Sequence, residues 1–208
     1  MLPKFLRWPV LAALLPGAAL AQSAPRLYVG AGAVLRRFAP FEAPASTSVG
    51  PAATAGWQFS PRWALETGAQ LTWHSTTSTY RPIDPNDPNG SFPTSNTHSA
   101  AWVVPLLARY SFSRPPARLR VDALGGVSWL HNSSRVDYTS LQVPPLLSQG
   151  TSNEVGVVLG PQVRYSFGPA LEAKLNLPFN VNMGSGYGSF GDRLFLTPQL
   201  GVQYAFTR

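Results

Sequence analysis

Three histidines in this 208-residue chain stand beside serines: His74 with Ser75, His98 with Ser99, and His131 two residues before Ser133. A histidine that takes the proton of a serine hydroxyl makes it a nucleophile, and a carboxylate behind the ring fixes its tautomer. With Asp84, Asp87 and Asp137 nearby in sequence, the material for acyl transfer or hydrolysis is present. Ser and Asp are also ordinary loop residues, and no motif surrounds these. A second set is ionic: Glu66, Asp122, Glu154 and Glu172 against Arg109, Arg120, Arg164 and Lys174. On one face of neighbouring strands these would form an ion-paired network or line a narrow path for anions. The run Asp84-Pro85-Asn86-Asp87-Pro88-Asn89-Gly90 carries oxygen ligands, but it lacks EF-hand spacing and a bidentate acid at position 12. It reads as a turn-rich loop tip. Without cysteine, thiol catalysis, disulfides and cysteine zinc sites are excluded, and neither metal nor cofactor is expected.

What must position these residues follows from composition. Hydrophobic residues make up 44% of the chain and charged ones 12%, against roughly 25% charged in ordinary soluble domains. Eleven Phe, seven Tyr and six Trp argue against disorder, and 18 Gly with 21 Pro argue against a helical bundle. Residues 1–21 read as a secretory signal: Lys4 and Arg7 precede a short apolar core, and Ala19-Leu20-Ala21 offers a small-x-small cleavage site. Its removal takes the formal charge from +7 to +5. The remaining basic residues are scattered singly, so nucleic acid is not an expected partner. Residues 22–208 read as a single domain.

Alternation with period two predicts strands at 26–38, 47–59, 62–74, 99–112, 117–131, 154–167, 170–181 and 193–206. The links between them alternate in length. Those after the second, fourth and sixth strands are short, while 39–46, 75–98, 132–153 and 182–192 are long. If each link joins neighbours, all short turns lie at one end of the sheet and all long loops at the other. That is the layout of an eight-stranded antiparallel up-and-down transmembrane β-barrel with external loops.

Charge and aromatic placement agree with a lipid-covered wall. Thirteen strand charges fall opposite the apolar face, including Arg26, Arg36, Arg62, Arg118 and Arg193 besides the eight ionic residues named above. Only Arg37 falls on the apolar face. Aromatics gather at two levels. Trp57, Phe59, Trp63, Tyr110, Phe112, Tyr165, Phe167, Tyr204 and Phe206 mark the short-turn end; Trp73, Trp102, Trp129 and Phe179 mark the loop end. Such girdles are expected at membrane interfaces. Against closure stand Pro51, Pro105, Pro161, Pro178 and Pro198, each of which deletes a ladder donor inside a strand.

Three segments carry a resemblance: Val104-Pro105-Leu106-Leu107-Ala108-Arg109-Tyr110, Leu159-Gly160-Pro161-Gln162-Val163-Arg164-Tyr165 and the closing Gly201-Val202-Gln203-Tyr204-Ala205-Phe206. With them the chain resembles the small eight-stranded outer-membrane barrels, the OmpA-transmembrane-domain and OmpX-like group. The resemblance implies an outer-membrane location in a Gram-negative bacterium, contact with outer-membrane lipid and lipopolysaccharide, and folding by the barrel-assembly machinery. Its terminal strand departs slightly, with Thr207 and Arg208 after Phe206. The expected role is structural or surface interaction with an external ligand at the long loops. The alternatives are a narrow anion-preferring channel and a lipid-acting enzyme at the outer rim. Eight strands leave an interior that side chains can fill, which favours an ionic plug over a pore.

Overall fold

Alternating side chains put one face of each segment against lipid and the other against the interior, and closing the sheet satisfies every strand edge. The computed structural model describes residues 26–38, 47–79, 94–113, 117–139, 146–184 and 193–206. The signal-like segment, Asp84, Asp87 and the 39–46 link lie outside the described residues. The strands are β1 (Arg26–Phe38), β2 (Thr47–Gln58), β3 (Trp63–Thr79), β4 (Thr94–Ser111), β5 (Leu119–Thr139), β6 (Leu146–Ser166), β7 (Leu171–Asn176), β8 (Phe179–Asn182), β9 (Leu194–Leu196) and β10 (Gln199–Phe206). Strands β7 and β8 are halves of one stave, as are β9 and β10. Every pairing is antiparallel, and β10 joins both β7 and β1, closing an eight-stave ring.

The interior is polar and the outside apolar, the reverse of a sandwich. Leu106, Leu159 and Leu200 are 56%, 66% and 64% exposed, whereas Arg109, Gln162 and Lys174 are buried. Only a lipid covering makes that inversion favourable, because exposed apolar area in water costs about 25 cal/mol per Å². The aromatic residues of both girdles are exposed, apart from a half-covered Tyr110 whose ring lies 4.9 Å from that of Trp63. Tyr110 with Phe112, Tyr165 with Phe167 and Tyr204 with Phe206 repeat one edge-on ring contact at the short-turn end.

Two expectations need correction. Residues 75–79, 94–98, 132–139 and 146–153 are not loop but ladder, so the two longest links are the tips of hairpins that continue well past the loop-end girdle. Their Ser- and Thr-rich sequence has no apolar alternation to reveal a strand, yet β-branched residues favour extended backbone. Arg26, Arg62 and Arg118, expected to face inward, sit exposed at the short-turn rim, where strand ends no longer separate lumen from solvent.

The prolines do not prevent closure. Pro51, Pro105 and Pro161 keep an unbroken ladder on one side (opposite Ala33, Ser128 and Ala123) and interrupt it on the other. Pro178 and Pro198 sit at the breaks that divide the last two staves. Their carbonyls remain bonded: Leu177 N donates to Pro161 O, Thr197 N to Pro178 O and Leu35 N to Pro198 O. For Pro105 the donor is a side chain, the lipid-facing Thr67 hydroxyl at 2.9 Å. The isosteric Thr67→Val is therefore expected to cost about 1–2 kcal/mol of barrel stability, since a carbonyl in lipid has no water to turn to. Urea titration of the folded barrel in lipid vesicles measures it.

Candidate functional site

The interior is layered from the short-turn end upward. The lowest layer is an ionic cluster. Arg109 Nη1 lies 2.6 Å from Glu66 Oε1, both side chains nearly inaccessible. Arg164 grips Asp122 through two nitrogens, at 2.5 and 3.1 Å, and reaches Glu172 Oε2 at 2.9 Å. Arg120 approaches the same Glu172 at 3.3 Å, and Ser166 and Gln203 also donate to it. Arg109 lies over the Tyr28 ring, 4.9 Å from its centre. Gly56 makes room for that ring: a Cβ there would stand 2.1 Å from the phenol. Local sequence thus sets the cluster, with glycine on one strand admitting an aromatic from the next.

Above it lies a ladder of amides. Gln162 donates to Asn176 at 2.8 Å, and Asn176 donates to Gln199 at 3.1 Å, crossing three adjacent staves. Lys174 belongs to this level, and its ammonium donates to Thr54 Oγ1 at 2.8 Å. Leu107, Leu124 and Val158 pack beside it, on β4, β5 and β6. In the middle lies a space of about 20 Å³, bordered by Glu66, Gln70, Leu107 and Asn176 among others. That is room for about one water, so the lumen is filled rather than open. Higher still, Asn180 donates to Thr197, Asn182 donates to Glu154, and Arg36 lies 4.4 Å from the centre of the Phe195 ring.

The outer end opens. A cavity of about 330 Å³ is walled by Thr47, Ser48, Thr72, His74, Thr76, Thr97, Ser99, Asn132, Ser133 and Ser134. Ala101, Val103 and Leu130 close the barrel beneath it. The result is a blind cup lined with hydroxyls, one amide, one imidazole and two alanines, Ala100 and Ala101. It can donate and accept hydrogen bonds, and among the described residues its wall carries no carboxylate, lysine or arginine. Sequence reading missed it. The signal was there in β4, whose inward Leu107, Val103 and Ala101 give way to Ser99 and Thr97 above the girdle.

The histidines do not converge. His98 Nδ1 meets Ser75 Oγ at 3.0 Å on the outside of the wall, His74 bonds Thr76 inside the cup, and His131 Nδ1 meets Asn153 Oδ1 at 2.9 Å. Asp137 is held by Arg135 at 3.0 Å. Among the described residues no three His, Asp or Glu side chains gather as a metal site. Glu154 lies in the outer half of the lumen, bonded to Asn182, away from the ionic cluster.

Comparisons agree with this architecture. The family model described as "Putative MetA-pathway of phenol degradation" matches residues 22–197. A major outer-membrane protein of Thermus thermophilus superposes with a TM-score of 0.61 at 16% identity, covering 88% of this chain and 100% of the other. Ail, the attachment invasion locus protein of Yersinia pestis, superposes with 0.54 at 11% identity, covering 87% and 98%. Ail in complex with the heparin analogue sucrose octasulfate gives 0.52 at 12%, covering 88% and 99%. At such identity the likeness is one of fold. No curated protein matches the chain.

Proposed function

This chain belongs to the MetA-pathway phenol-degradation family, an outer-membrane barrel family, and we propose that it serves there as a surface-recognition barrel that takes its ligand in the outer cup and along the projecting hairpins. One observation carries the reading. The lumen is closed by side chains, while β3 to β6 run to 17–21 residues and raise a hydroxyl-lined cavity beyond the outer girdle. About 9–11 residues suffice to cross the membrane, so the surplus builds a stiff external platform. Ail was solved with the sulfated sugar sucrose octasulfate, which supports a sugar-based ligand as the first probe. A second reading, capture of a small phenol, is favoured by the family's description and by a cup large enough to admit a single-ring molecule.

Saturation-transfer NMR on the folded barrel separates the two, with sucrose octasulfate and phenol as probes. Asn132→Leu, which narrows the cup and removes its amide, is expected to abolish about nine-tenths of the signal of the true ligand, the equivalent of one or two lost hydrogen bonds. Signal from neither probe, or signal unchanged by the substitution, refutes recognition in the cup.

A further inference from the structure

Directly above the loop-end girdle, the outward faces of β3, β4 and β5 change from apolar to hydroxylated and cationic. Ser75 is paired across the ladder with His98, and His98 with Arg135. Strands lie about 4.8 Å apart, so the three side chains span roughly 10 Å. All three are exposed on the outer surface, and Ser133, also exposed, lies two residues below Arg135 on the same face. Beneath them are Trp73, Trp102 and Trp129, exposed on the same face and belonging to the girdle. His131 bridges the two levels, its ring stacked on Trp129. The outward side of a barrel at this height meets lipid headgroups, and water or neutral hydroxyls would satisfy it. A guanidinium there, beside an imidazole able to donate outward, calls for an anion.

We propose that Arg135 and His98, with Ser75 and Ser133, hold a phosphate of the phosphorylated glycolipid (lipid A type) that makes up the outer leaflet. The chemistry fits at each group. When the Ser75 hydroxyl donates to His98 Nδ1, the tautomer places the remaining proton on Nε2, where it can be donated outward. Arg135 uses Nε for Asp137, and its two terminal nitrogens match the geometry of a phosphate. The Asp137 contact is solvent-exposed, and such pairs are weak enough to yield to a doubly charged anion. Asp137 is the one acidic side chain on this outward face above the girdle among the described residues of β3 to β6. The site faces outward, and Ser133 is the one residue of it that also borders the cup.

The test uses the folded full-length barrel in neutral detergent, with bound lipid counted by native mass spectrometry. Bis-phosphorylated lipid A is expected to bind the natural protein. Arg135→Gln and His98→Gln are each expected to weaken it about tenfold, the loss of one charge-assisted hydrogen bond. Asp137→Asn frees Arg135 and is expected to tighten binding; Arg62→Gln, exposed at the opposite rim, leaves it unchanged. Lipid A stripped of phosphate should bind the natural protein as poorly as phosphorylated lipid A binds the variants. Competition by millimolar inorganic phosphate would assign the same groups to free phosphate instead and overturn the lipid as ligand. Equal binding of the stripped lipid, or variants indistinguishable from the natural protein with heat-modifiable gel mobility intact, overturns the site itself.

Discussion

Arg164→Leu is expected to lower the unfolding free energy of the barrel by about 3–5 kcal/mol, the usual cost of leaving a buried partner charge uncompensated. Asp122 is nearly inaccessible and is held by two bonds from Arg164, so the substitution strands a carboxylate inside the wall. Glu172 fares better, because Arg120, Ser166 and Gln203 still reach it. Arg164→Lys should recover only part of the loss, since an ammonium cannot reproduce the two-point grip on Asp122. Replacing Arg164 and Asp122 together by leucine and asparagine should cost less than Arg164→Leu alone. The measurement is urea titration in vesicles, followed by the gel shift between folded and unfolded barrel. A loss below about 1 kcal/mol for Arg164→Leu would show that water reaches Asp122 and solvates it.

The second large effect concerns conduction. With only about 20 Å³ free at the centre, the natural barrel is expected to give no steps in a planar bilayer. Glu66→Ser combined with Arg109→Ser removes two large side chains that pair only 2.6 Å apart beside that space. Taking both partners away leaves neither charge orphaned, so the barrel still folds while the lowest obstruction goes. With Leu130→Ser added to open the apolar floor of the cup, current steps should appear and favour anions, because Arg120, Arg164 and Lys174 remain against Asp122 and Glu172. Steps of equal size from the natural protein would make the lumen a working path and the ionic cluster its selectivity element.

Much of this architecture is legible in the residues. The fifth stave shows why: Leu119, Val121, Val127 and Trp129 alternate with Arg120, Asp122 and Ser128, and the structure puts the first set outside and buries Asp122 and Ser128. A lipid-facing wall excludes charge, so period-two alternation in a charge-poor chain assigns each strand residue to a side without knowledge of its neighbours. Beyond the girdle that rule lapses. Ser and Thr in 75–79 and 94–99 face headgroups and water on the outside and the cup on the inside, all polar, and alternation vanishes although the ladder continues.

The sequence alone determined the number of staves, their up-and-down order, the side that faces lipid and the two aromatic levels, because each depends on what one strand presents to lipid or water. Only the tertiary structure decided who pairs with whom. The grip of Arg164 on Asp122, the bond from Lys174 to Thr54, the cup between Ser48, His74 and Asn132, and the juxtaposition of His98 with Arg135 all depend on register. Sliding one strand by two residues would preserve every inward and outward assignment and change every one of those partners. The halved charge content is thus a property of the chain, and the use made of each remaining charge is a property of the closed barrel.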